Sequence, residues 1–86
     1  MNNLKKEILN TICYTKLVYS RINKKLNTEL SNDEIEKMIY NIIKETDELQ
    51  FHKAGKNVYV KNQERNIEIT INMNTFRVIT VDNLTK

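Results

Sequence analysis

Between Phe51 and Arg77 the chain sets cations among rings: Lys53, Lys56, Lys61, Arg65 and Arg77 carry the charge, with Phe51, His52 and Tyr59 between them. Cations neutralise phosphates and rings offer faces for unpaired bases. The pattern points to a nucleic acid, or a protein complex carrying one, contacted by Lys53, Lys56, Tyr59, Lys61, Arg65 and Arg77. The bland counterpart is a solvated rim in which Arg77 pairs with Glu68 across a sheet. A second set is acidic. Asp33, Glu34 and Glu36, followed by Glu45, Asp47 and Glu48, give residues 31–50 a negative surface suited to a basic protein partner. That is the surface of an inhibitor or adaptor, such as a mobile-element inhibitor of a host defence complex of the anti-CRISPR kind.

Catalytic patterns are thin. His52 with the neighbouring cations, Tyr59 and Thr70 is the minimum for a metal-independent, toxin-like ribonuclease: a base for the 2′-hydroxyl proton and cations for the phosphorane-like transition state. A lone exposed histidine near a glycine is more commonly an incidental loop residue, and Gly55-Lys56 lacks the rest of a phosphate-cradling loop. One cysteine and one histidine cannot assemble the usual four-ligand zinc site, and Cys13 alone makes no intrachain disulfide. Neither a metal nor a cofactor is expected, and a non-enzymatic binding module is the leading reading.

Eighty-six residues support one modest core. With 40% hydrophobic and 29% charged residues the chain is in the folding regime. No apolar run approaches the roughly 20 residues of a membrane span, and the start turns amphipathic at once, which predicts a cytoplasmic protein without a leader. Asparagine (13), isoleucine (11) and lysine (11) dominate, and there is no proline and one glycine, a bias read as genomic rather than functional. The net charge of +3 is sorted along the chain. Residues 1–30 hold six basic and two acidic groups, residues 31–50 two and six, and residues 51–86 six and three. A basic, an acidic and a basic block alternate.

Hydrophobic spacing predicts helices over about 3–12, 15–27 and 32–46. The third is the clearest, with Ser31 and Glu34 as a capping box before Ile35, Met38, Ile39, Ile42 and Ile43. After Gly55 the period changes to two, predicting strands over about 57–61, 66–72 and 75–82. The expected fold is α+β, a single domain over 1–86 with two or three N-terminal helices packed on one face of a three-stranded antiparallel β-meander. Val58, Val60, Ile67, Ile69, Ile71, Phe76 and Val78 should face the helices. Ile79 and Val81 then fall on the outer face of an edge strand, which predicts a protein-binding patch or a homodimer through strand 75–82. Three helices before a hairpin also match a winged helix-turn-helix, but Asp33, Glu34 and Glu36 would then meet the duplex with like charge.

The segments ICYTKLVYSRINKKL (12–26), LSNDEIEKMIY (30–40), GKNVYV (55–60) and RNIEITINMNTFRVITVD (65–82) resemble a small uncharacterised bacterial family, domain of unknown function 3781. The resemblance implies a small free-standing protein and assigns no activity or site residue.

Overall fold

The computed structural model describes residues 4–85. Helix α1 spans Leu4–Thr11, α2 Val18–Leu26 and α3 Asn32–Glu45; the expected first residue of α1, Asn3, lies outside the described residues. Ser31 accepts from the Glu34 N–H and the Glu34 carboxylate accepts from the Ser31 N–H, so α3 starts at the expected capping box. A short 3₁₀ turn over Glu48–Gln50 leads into the sheet.

The sheet has four strands where the sequence predicts three: β1 Phe51–Ala54, β2 Asn57–Asn62, β3 Ile67–Asn72 and β4 Val78–Asn83, in the order β1-β2-β3-β4 and all antiparallel. β1 escapes sequence reading because it buries almost nothing. Of Phe51, His52, Lys53 and Ala54 only the first packs on the core, so no alternation is visible. Gly55, at φ +61°, supplies the left-handed residue that turns β1 into β2.

One core joins the layers. Ile8 from α1, Val18 and Ile22 from α2, and Ile35, Ile39, Ile42 and Ile43 from α3 pack on Val58, Val60, Ile69, Ile71, Val78 and Val81. A hairpin closed around Asn62–Arg65 would set Val58 opposite Ile69 and Val60 opposite Ile67; the observed pairing is two residues on, with Val58 opposite Ile71 and Val60 opposite Ile69. A shift of two preserves the inward face.

The last strand departs further. Asn72 Oδ1 accepts from the N–H groups of Asn74 and Thr75, and Phe76 takes a left-handed φ of 59°. The chain therefore re-enters the sheet at Val78, not at residue 75. β4 then carries a bulge, with Ile71 opposite Val78 but Thr70 opposite Thr80. Ile79 is the extra residue, so Val78 and Val81 both point inward. Val81 is 0% exposed. Its expected place on a surface patch is thus corrected, and only Ile79 of the pair stays on the outer face. Nor is the far side of β4 bare. Cys13 N–H donates to the Phe76 carbonyl and Val78 N–H to the Cys13 carbonyl, after which α2 runs alongside β4. Lys25 meets Asp82 at 2.9 Å near the strand's end.

Candidate functional site

The cations expected to act together are dispersed by the sheet. Lys53 opposes Val58, whose side chain is in the core, so it stands on the helix side, while Tyr59 stands on the outer face. Arg65 is turned toward α3, where its guanidinium donates from Nε and Nη2 to the two Glu45 carboxylate oxygens, both at 3.0 Å. That bond holds the Arg65 pKa above its ordinary value. Lys61 shares the outer face with Tyr59 but lies 3.8 Å from Glu68, its cross-strand partner. Lys56 is exposed in the β1–β2 turn. Arg77 alone reaches the surface described next.

Beside β4 runs a groove of about 880 Å³ lined by Leu17, Ser20, Arg21, Lys24, Lys25, Ile79 and Thr80. A smaller hollow of about 230 Å³ shares Leu17, Arg21 and Ile79 with it and adds Arg77 and Thr15. Helical spacing explains the lining: Arg21, Lys24 and Lys25 recur at i, i+3 and i+4 on the flank of α2 that leaves Val18 and Ile22 free to enter the core. Lys24 and Lys25 also lie in the last turn, where the helix dipole favours cations. Lys25 is shared with Asp82, whereas Arg21, Lys24 and Arg77 make no ion pair among the described residues. The apolar part is Leu17, 73% exposed, with half-buried Ile79. Thr80 Oγ1 is buried there without a hydrogen-bond partner.

Three cations around one groove, with Arg77 on the hollow beside it, suit a polyanion. Arg21, Lys24 and Lys25 were legible only as the net excess of base in residues 1–30; that they face β4 depends on how α2 docks. Outward from the groove, one row crosses the whole sheet: Thr80 opposes Thr70, Thr70 opposes Tyr59 and Tyr59 opposes His52. The next outer row, Lys61, Glu68 and Asp82 with Lys25 beyond, alternates in sign only at its ends and has two acids at its centre.

The acidic set is largely occupied within the molecule. Glu34 is bound into the capping box, and the Ser31 N–H holds its carboxyl below the usual range. Glu36 Oε2 accepts from the Tyr19 hydroxyl at 2.7 Å. Of the three leading carboxylates, Asp33 is the one left to solvent. Tyr19 also stacks on Tyr14, centroids 5.6 Å apart, and burial together with the bond to Glu36 pushes the Tyr19 pKa up to about 12. Burial raises Tyr14 as well. Tyr14 and Glu36, with Ile12, Lys37, Tyr40 and Asn41, line a hollow of about 490 Å³ on the α3 side. Among the described residues no three His, Cys, Asp or Glu side chains gather as a metal would need, and no helix is long and apolar enough to cross a membrane.

Residues 6–82 match a protein-family model described as a protein of unknown function. No curated protein and no solved structure matches the chain.

Proposed function

The chain belongs to that family, DUF3781, and from a membership that carries no activity we propose, on the surface alone, a non-enzymatic module that binds the phosphate backbone of a nucleic acid along α2 and β4. The single observation behind this reading is the convergence of Arg21, Lys24 and Lys25 on one groove with Arg77 on the hollow beside it, three of the four without an ion pair among the described residues. Phosphate contacts of this kind position a polymer without reading its sequence. Of the cations first singled out, Arg77 remains in the proposed set; Lys61 and Arg65 already have carboxylate partners, and Lys53 stands on the other face.

A protein partner for the acidic α3 is the weaker reading, because two of its three leading carboxylates are committed to Ser31 and Tyr19. Gel shift at two salt concentrations tests the choice. Arg21→Glu with Lys24→Glu should abolish a salt-sensitive shift, and Lys53→Glu with Lys56→Glu should leave most of it. Absence of any salt-sensitive binding by the wild type would remove the proposal.

A further inference from the structure

The groove opens onto a sheet face whose chemistry narrows the ligand. We infer, resting on the phosphate-binding reading above, that the protein takes single-stranded nucleic acid, with phosphates along Arg21, Lys24 and Arg77 and an unpaired base stacked on Tyr59.

The three helices bury their apolar side chains on the opposite face, so the row from Thr80 through Thr70 and Tyr59 to His52 lies on the helix-free side. Neighbouring strands are about 4.8 Å apart, which sets Tyr59 about 10 Å from β4. Arg21 and Lys24 stand on α2 beyond β4, so the phosphates they hold and the base on Tyr59 belong to different nucleotides of one strand. Tyr59 is half-buried and His52, beside it on β1, is exposed, so two rings stand side by side at the far end of the row. In a duplex the base faces are consumed by stacking on one another, and only the cations would be used; a splayed strand can engage both charge and ring.

Charge fixes the route. On one side of Tyr59 and Thr80 the outer row holds Glu68 and Asp82 paired with Lys61 and Lys25, so it offers a phosphate no unshared cation. The row on the other side is neutral, with Asn57 opposite Asn72, and it ends near Arg77. The backbone therefore enters at the Arg77 and Arg21 end of the groove and not at the Lys25–Asp82 end.

Fluorescence anisotropy decides the matter with a labelled single strand of about a dozen nucleotides, as RNA and as DNA, and with each annealed to its complement. The single strand should bind more tightly than the duplex. Tyr59→Ala should weaken single-strand binding about 5- to 140-fold with the salt slope unchanged, and Tyr59→Phe, which keeps the ring and guards against misfolding, should bind as wild type does. Equal binding of duplex and single strand, with Tyr59→Ala matching Tyr59→Phe, would overturn the single-strand inference and leave the phosphate-binding proposal standing. Salt-sensitive binding of polyglutamate but of no nucleic acid would overturn both.

Discussion

Asparagine shows most clearly what composition hides. A chain with one glycine and no proline must still make left-handed turns, and Asn27 and Asn66, each at φ 57°, make two of them. Asparagine tolerates that region better than other residues bearing a Cβ. Asn23 ties Leu30 and Thr28 to α2, and Asn72 organises the turn before β4. The bias read as genomic is thus used structurally throughout, and no spacing rule announces which asparagine does what. Asn27→Ala should cost about 1 kcal/mol and Asn27→Gly should be neutral or slightly stabilising, as read from urea midpoints. Asn62 is more demanding. It is 7% exposed, donates to Thr46 Oγ1 at 3.0 Å and accepts from the Arg65 N–H, so it joins the end of α3 to the β2–β3 turn. Asn62→Ala should cost about 1–3 kcal/mol by leaving buried groups unpaired. Tyr19 sets an alkaline limit. Its folded pKa of about 12 exceeds the ordinary 10.0, so the folded state holds a proton that the unfolded chain releases first. Stability from this group is complete below pH 10.0 and falls as pH rises toward about 12. Thermal melts across that window should show the decline, and Tyr19→Phe should make it shallower.

The elements were legible in proportion to how regularly they bury. α3 has a capping box and an unbroken isoleucine stripe, and its expected end differs by one residue from the observed one. β2 and β3 alternate, and their inward faces follow from the pattern even though the pairing is offset by two. β1 has no alternation to read, and β4 has an alternation that misleads, because an inserted residue is invisible in a period-two count. The bulge gives a sharp test. If Ile79 is the extra residue, Ile79→Lys projects into solvent beside the groove and should fold, whereas Val81→Lys places an unpaired ammonium in the core. The second change should cost several kcal/mol, comparable with the roughly 5–15 kcal/mol that holds a small domain together. Circular dichroism melts would show it. An unregistered β4 with a free outer edge would give the opposite order. The same geometry bears on self-association: with α2 and Cys13 along β4, sedimentation should find no dimer that depends on residues 75–82.

At the scale of the molecule, the sorting of charge was visible in the sequence, but its direction in space was not. The basic β-part was the more conspicuous cluster because its cations are close in sequence. Alternation along each strand then sends neighbours to opposite faces, and the carboxylates of Glu45 and Glu68 take up two of the cations. The quieter N-terminal block supplies the convergent set because a helix can line one flank with cations while the adjacent flank enters the core. This distinction can be measured apart from overall charge. For a single strand the logarithm of affinity falls with the logarithm of salt by about 0.7 per phosphate neutralised. Arg21, Lys24 and Arg77, with Lys25 partly spent on Asp82, then predict a slope of about −2 to −3, or about a 15- to 65-fold loss between roughly 50 and 200 mM salt. Alanine at Arg21, Lys24 or Arg77 should each reduce the slope by about 0.7. Alanine at Lys25 should reduce it less, since that ammonium is already shared with Asp82. Lys53→Ala and Arg65→Ala should leave the slope as it is. If instead every removed cation lowers the slope alike, the protein attracts polyanions by its net charge of +3 and the groove is no site. Asp33→Lys separates the remaining possibility. It adds positive charge to α3 away from the groove, so it should hold or raise nucleic-acid affinity, and loss of affinity in that variant would locate binding on α3.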